Sequence, residues 1–553
     1  MPAGRLVRLA WALPALALVL SCGALGLIEP TDARYAEIGR EMLASGDWLT
    51  PRLNGVAHFD KPPLAYWASA AGMKLFGVNE QGARIGAALA AAFLLWAVTA
   101  IARRVSAGVA DASTPHGALR TDFPLAAPDE VLLAPLVLAS SVLVFALSRL
   151  LATDIFLAAS VAGFYAAWLS PGARGRLCMY VALAAGFLAK GPVVLAHTVL
   201  PLAVLALALR DRRMVARLAW APGWLLFAAL SFPWYLIMVA STPGLLGWLL
   251  HNQVWQRYTT TVHHRPGPPW YFVAVLLAGA LPWTWAALEG LWRSTRAAIR
   301  DHFPPEAALA VWAVLPVLFF SASGSKLPAY ILPELPAFAL LAARALARPG
   351  ILSRWGTTLT MGALAVLIEV VGPRALARVV GAEHAATLPL PPLAHAAAAA
   401  FLAAGIAAAA RLPIAAAVAA LVAWYSLLGG AVKIEGPLGS PVQVARLLDK
   451  ARQPQEPVIE LGAFSAAIPF YLGRTVPMLH VPPTDAFDSP GARGQAFLDP
   501  ASLPGLIVRQ SRVWVLAPHG HAERLADSID VHYSTIARTR TRELGIFEPM
   551  PPR

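Results

Sequence analysis

Apolar runs recur along this chain, continuous rather than alternating, and most match the roughly 20 residues a helix needs to cross a bilayer. The first covers Leu9 to Ile28. Others lie near 85–102, 131–148, 154–170, 177–190, 193–209, 218–240, 271–288, 306–322, 329–346, 356–372, 393–410 and 412–432. A transmembrane β-barrel would alternate with period two, so that class is excluded. The pattern predicts a polytopic α-helical membrane protein with about 13 transmembrane helices, counted with a hydropathy window of about 19 residues. Only Gly191 and Pro192 separate two of these runs, so the count can shift by one. The pattern changes after residue 435. PVIEL and RVWVLAP read as short strands and SPVQVARLLDKA as a helix. A small α/β domain over 436–553 is expected to follow a membrane domain over 1–435.

Composition narrows the class. Of 553 residues, 58% are hydrophobic and 14% charged, against about 25% charged in soluble proteins. The net charge of +13 does not call for a nucleic-acid partner. Arginines flank alternate spans: Arg5 and Arg8; Arg103, Arg104 and Arg120; Arg174 and Arg176; Arg210, Arg212, Arg213 and Arg217; Arg293, Arg296 and Arg300; Arg344, Arg348 and Arg354; Arg411. Basic loops face the cytoplasm. This threading puts the N-terminus in the cytoplasm and, with an odd span count, the C-terminal tail on the outside. Cys22 and Cys178 sit in apolar surroundings and imply neither a disulfide framework nor a zinc–thiolate site.

The remaining loops, on the opposite face, carry unusual polar groups. The loop 29–84 mixes acids and bases. Its Arg34, Glu37, Arg40 and Glu41 are spaced to share one side of a helix. That side reads equally as a solvated face with internal salt bridges or as an amphipathic helix lying at the membrane interface. Lys61 stands before Pro62 and Pro63 in HFDKPPLAYW, on a stiff, extended stretch. It suits either a phosphate or a snorkelling position beside Tyr66 and Trp67. Asp154 opens one span, Lys190-Gly191-Pro192 joins two others, and KLPAYILP brings Lys326 and Tyr330 to the start of another. Ionisable groups at membrane depth are functional candidates. The loop 241–270 holds Trp255, Arg257, His263 and His264. Adjacent histidines are candidate ligands for a divalent metal; no other cofactor is called for. HExxH, GxSxG, Walker and GxGxxG patterns in suitable context are absent from the sequence. Several cations, a tyrosine and a few carboxylates on one membrane face suit a sugar joined to a lipid phosphate. Cations would stabilise the leaving phosphate, and a carboxylate would orient or deprotonate the acceptor hydroxyl.

The run EPTDARYAEIGREMLASGDWLTPRLNG…FDKPPLAYW resembles the first outer loop of the lipid A aminoarabinose transferases, GT-C glycosyltransferases related to protein O-mannosyltransferases. The likeness continues through FLAKGPV, NQVWQRYTTTVHHRPGPPWYF, LLAGALPW, GSKLPAYILPELPAFALL and IPFYLGRTVP. It implies an inner-membrane enzyme with amphipathic juxtamembrane helices, moving a sugar from undecaprenyl phosphate to lipid A or another envelope glycolipid. It implies donor-phosphate contacts from Lys61, Tyr330 and an arginine of the 257–265 loop (Arg257 or Arg265), with Arg34, Lys190 and Lys326 joining them by charge and position. Asp154 is implied as an important acid. Where the family reads two acids before x-Arg-Tyr-Ala-Glu, with the first taken as the catalytic carboxylate, this chain reads Thr31-Asp32, so that either Asp32 takes the catalytic role or another acid does. The loss of an acid at Thr31 leaves a rival: a polyprenyl-lipid transporter, or a relative altered in activity. A transporter would show inverted repeats and broken mid-membrane helices.

Overall fold

The computed structural model describes residues 3–106, 128–256, 259–260, 266–301, 304–380, 391–434, 441–482, 487, 490, 496–539 and 541–550. Its first part is helical. It runs α1 (Ala3–Ser21), α2 (Thr31–Ser45), a hairpin β1 (Arg52–Leu53) and β2 (Val56–Ala57), α3 (Leu64–Phe76), α4 (Glu80–Ser106), α5 (Pro128–Ser140), α6 (Val142–Leu147), α7 (Thr153–Trp168), α8 (Gly172–Lys190) and α9 (Val193–His197). Among the described residues, five helices are long and apolar enough to cross a membrane: Glu80–Ser106, Arg212–Ser241, Pro328–Ala347, Pro391–Ala409 and Pro413–Ile434. Of the shorter apolar helices, Thr153–Trp168 is almost wholly buried. The architecture is that of a polytopic α-helical membrane protein.

Several runs that read as single spans are interrupted, each for a local reason. The run 9–28 stops being helical at Ser21, because the carbonyls of Cys22, Leu25 and Gly26 turn to the Arg84 guanidinium. The run 131–148 breaks at Ser141, which is extended. There Val142 N donates to Leu281 O at 3.0 Å, and Trp283 and Trp424 donate to Ser140 at 2.9 and 2.7 Å. The run 193–209 breaks at Thr198. The run 271–288 belongs to a pair of helices, Tyr271–Gly279 and Thr284–Ala298, bent by 111° across the Pro282 segment. Proline has no N–H to continue the ladder, and hydropathy windows do not register such bends.

Small residues let the first helices approach closely. A Cβ added at Gly39 of α2 would lie 2.8 Å from Ser69 Oγ and 3.1 Å from Ala70 N of α3. In the hairpin, Asn54 and Gly55 both have left-handed φ, 54° and 79°, as a tight two-residue turn requires. That turn returns the chain toward α2 and sets the entry of His58–Lys61.

The tail forms a five-stranded sheet, order β4-β3-β5-β7-β6, from β3 (Val458–Leu461), β4 (Met478–Leu479), β5 (Val513–Pro518), β6 (His532–Arg538) and β7 (Arg542–Glu548). β3 pairs in parallel with β4 and β5; β7 pairs antiparallel with β5 and β6. Alternation along β5 fills two cores. Val513, Val515 and Ala517 pack with Ile507 and Ala526, while Trp514 and Leu516 pack with Leu448 and Ile468. Such two-faced burial needs helices on both sides of the sheet.

This sheet is seated on the first loop by polar contacts. Tyr471 Oη accepts from Leu27 N at 2.9 Å and donates to Glu80 at 3.0 Å. Glu29 accepts from Ser465 Oγ and Ala467 N at 2.7 and 2.8 Å. Asn54 makes two 2.7 Å bonds with the backbone of Val476. Beneath them, Glu460 is fully buried and accepts from Ser465 N at 2.9 Å. Burial pushes its carboxyl up to about 8, outweighing Arg542 and the Ser465 amide, which favour the charged form. The folded protein therefore keeps this proton up to about pH 8, whereas an unfolded chain releases it near 4.5. The folded state binds more protons in that window, so its stability falls as pH rises through it. Glu460→Gln is expected to flatten this decline in detergent melts between those pH values. A decline as steep as in the wild type would contradict the assignment.

Candidate active site

The N-terminus of α2 is fixed first. Asp32, in its opening turn, is 2% exposed. Its Oδ1 accepts from Leu151 N at 2.7 Å and Arg84 Nε at 3.1 Å; its Oδ2 accepts from Ile28 N at 2.9 Å and from Arg84 Nη2. Arg84, 1% exposed, spends its other donors on the carbonyls of Cys22, Leu25 and Gly26. A guanidinium saturated in this way fits the inside of a protein because its five N–H groups all find acceptors. The pair ties together the end of α1, the start of α2, the base of α4 and the loop before α7.

One turn on, Tyr35 is buried and stacks on Tyr66, ring centroids 5.1 Å apart. Burial pushes its phenol up, and the negative fields of Asp60 and Asp154 add to that; a hydrogen bond with Thr153 opposes it. Tyr35 is therefore near both acids. Lys61 Nζ lies 3.0 Å from Asp60 Oδ2 and 2.8 Å from Asp60 O. Asp154, in the first turn of α7, is ion-paired with Lys190 in the last turn of α8. An acid at a helix N-terminus and a base at a C-terminus both favour their helix dipoles. Gly191 turns the chain with φ 77°. Lys190 Nζ lies 4.6 Å from the centroid of the Tyr330 ring, a cation–π contact. Tyr330 belongs to a 3₁₀ segment, Pro328–Glu334, and its ring lies 6.1 Å from that of Phe272.

Asp60, Lys61, Tyr35, Asp154, Lys190 and Tyr330 thus follow one another as neighbours. Lys326 comes next, 5.4 Å from the Phe272 centroid. It donates to the carbonyls of Ser321 and Ser323 at 2.9 Å each, and burial lowers its pKa. Arg34 lies half-buried beside this row, close enough for its charge to favour the ionised forms of Tyr35 and Tyr66. Arg257, Arg265, His263 and His264 lie outside the described residues, as does Arg120. Among the described residues, no group of three or more His, Cys, Asp or Glu side chains could hold a metal ion.

Two sequence expectations change in detail. Asp32 is buried, with four hydrogen bonds already accepted. The Glu37, Arg40 and Glu41 face is neither solvated nor turned to lipid. Glu37 and Arg40 pair at 2.6 Å with side chains 0% and 7% exposed, Arg40 also donates to Gly473 O at 3.0 Å, and Glu41 accepts from Gly55 N. Burial pushes Glu37 well above the usual carboxylate range. These charges underlie the tail.

Tyr35, Asp60, Arg84 and Arg149 were not singled out from sequence. Arg84 stands directly before the apolar run 85–102, and an arginine there was itself the signal. Arg149 is 5% exposed, packed over the Phe145 and Tyr425 rings, with its centre 3.6 and 4.9 Å from their centroids. It lies in the same α6–α7 loop as Leu151.

A family model described as dolichyl-phosphate-mannose-protein mannosyltransferase matches residues 60–113. Over 329 residues the chain is 32% identical to an undecaprenyl phosphate-alpha-4-amino-4-deoxy-L-arabinose arabinosyl transferase of Edwardsiella ictaluri, covering 57% of this chain and 55% of that protein. A protein of the same name from Serratia proteamaculans is also 32% identical, with the same coverage. The match spans about half the length of these curated relatives (55%). The crystal structure of ArnT from Cupriavidus metallidurans bound to undecaprenyl phosphate superposes with a TM-score of 0.78 at 25% identity, covering 99% of this chain and 98% of that one. Its apo form gives 0.77 at 26% identity, with the same coverage. This chain is similar to the aminoarabinose transferases in sequence and in fold. The fold likeness runs through both the helical part and the sheet-bearing tail, so the row from Lys61 to Tyr330 lies on a shared scaffold.

Breaking the Asp32–Arg84 pair strands a buried charge, which costs about 3–5 kcal/mol. Asp32→Ala and Arg84→Met are each expected to lower stability by about that much, and the double variant by little more than the worse single. Thermal unfolding in detergent measures this. Losses under about 1 kcal/mol, as for an exposed pair, would contradict it.

Proposed function

We propose that this chain is an integral-membrane glycosyltransferase that moves a sugar, an aminoarabinose-like pentose or a hexose, from undecaprenyl phosphate to lipid A or another envelope acceptor. The observation that carries this reading is the Asp154–Lys190–Tyr330 contact, continued by Tyr35 to Asp60 and Lys61. The likeness to a structure bound to undecaprenyl phosphate supports it.

The donor's anomeric carbon parts from a phosphate oxygen and bonds to the acceptor hydroxyl oxygen, whose proton must leave. Negative charge grows on the departing polyprenyl phosphate. Lys61 and Lys190 supply positive charge there and the Tyr330 hydroxyl supplies a donor, with Arg34, Lys326 and an arginine of the 257–265 loop as further cations. Asp154 orients the acceptor hydroxyl or takes its proton. Asp32 supports it: by holding Leu151 N it fixes the loop that leads into Asp154, three residues on. No step requires a metal; a divalent ion at His263 and His264 remains a proposal from sequence.

In this reading residues 1–435 are the transferase domain and 436–553 a periplasmic domain. The protein is a multi-pass inner-membrane protein with its N-terminus in the cytoplasm, as the alternating arginines suggest. The helix breaks at Ser141 and Thr198 favour a second reading, transport of the polyprenyl lipid without chemistry.

Transfer in proteoliposomes loaded with undecaprenyl phosphate-aminoarabinose and lipid A, followed by mass spectrometry, separates the two. Lys190→Met and Asp154→Asn are each expected to lower turnover about 100-fold or more. Lipid movement with no glycosylated product in the wild type, or full turnover in both variants, would overturn the assignment.

A further inference from the structure

Below Tyr330 lies a buried polar pair that the proposed chemistry does not use. His197 ends α9, and Glu334 ends the 3₁₀ segment that carries Tyr330. His197 Nδ1 and Glu334 Oε1 are 2.6 Å apart, and both side chains are 0% exposed. His197 Nε2 and Glu334 Oε2 meet no hydrogen-bond partner. A polar pair left half satisfied in an apolar interior costs stability, and replacing both partners by hydrocarbon is often neutral or better. Its presence calls for a role other than stability.

Two routes join the pair to Tyr330. The first is the chain itself. A 3₁₀ run of seven residues is long for that helix, whose hydrogen bonds are poorly aligned. It is held at its far end by Glu334 and by Trp312 Nε1, which donates to Pro333 O at 2.9 Å. Trp312 in turn stacks at 3.9 Å on Tyr165, whose hydroxyl donates to His197 O at 3.2 Å. The second route is aromatic. The His197 ring stacks at 5.0 Å on Phe320, which lies 6.2 Å from Tyr330 and 6.3 Å from Phe272. Both routes end on the ring that faces Lys190.

We propose that His197 and Glu334 are positioning residues: their hydrogen bond sets the height of Tyr330 against Lys190 and thereby the affinity for the polyprenyl phosphate headgroup. This rests on the donor site proposed above. The pair touches no substrate and acts only through Tyr330.

The test is a double-variant cycle on the full chain in nanodiscs, reading undecaprenyl phosphate affinity by native mass spectrometry and donor KM and kcat by transfer. His197→Leu and Glu334→Leu should each weaken carrier binding about tenfold and lower donor kcat/KM by at least as much. In a Tyr330→Leu background neither should add a further loss. His197→Asn, whose amide N–H stands near the Nδ1 position, should restore binding to within about threefold. If the leucine variants do not fold, Glu334→Gln, which keeps volume and changes only the pair's hydrogen-bond chemistry, carries the same cycle. Additive losses in the Tyr330→Leu background, or wild-type affinity in the paired variants, would overturn the proposal. A wild type that binds the carrier but transfers no sugar would sink the transferase reading alone, since the binding cycle still decides the pair.

Discussion

One buried ion pair organises the first helices of this molecule. Arg84 stands at the head of a long apolar helix, where a charge is expensive unless every donor is used. The chain meets that demand by ending its first helix early and turning three carbonyls and Asp32 toward it. The irregular stretch 22–28 is thus a binding site for an arginine. Asp32 passes the constraint to Leu151, and so to the loop that ends in Asp154. The charges that would meet a lipid phosphate sit above a foundation that is itself saturated and dry.

A second consequence concerns the tail. Charges on α2 that would ordinarily seek water are covered by the segment 473–476, and Glu29 and Glu80 are met by the same part of the chain. The first loop is therefore gripped from two sides, by helices below and by the sheet above. Tyr35 and the Asp60–Lys61 pair lie on the elements so gripped. A loop held this way is preorganised, and in the proposed reaction its electrostatic stabilisation would carry no reorganisation cost.

The sequence spoke most clearly where a polar residue interrupts hydrocarbon. Lys190, Asp154 and Tyr330 stood out on that ground, and their grouping on one face followed from the arginine-rich loops on the other. Partners were harder to read. Nothing near Asp32 in sequence announces Arg84, 52 residues later. The Glu37–Arg40–Glu41 face has the spacing of a solvated helix, and only a contact 433 residues away reveals that it is covered. The breaks at Ser141 and Thr198 escape a hydropathy window, which averages polarity and does not register backbone geometry. Two strands of the tail, β3 and β5, were readable as short apolar runs; β4, β6, β7 and the order of the sheet were not.

The central claim is that these charges share one outward-facing site for a polyprenyl phosphate. A cryo-electron microscopy structure of the protein in nanodiscs with undecaprenyl phosphate tests it most directly. The account predicts phosphate density within about 3 Å of the Lys190 or Lys61 ammonium, in contact with Tyr330. Phosphate bound on the opposite face, among the arginine-rich loops, with the Asp154–Lys190–Tyr330 row left untouched, would contradict it.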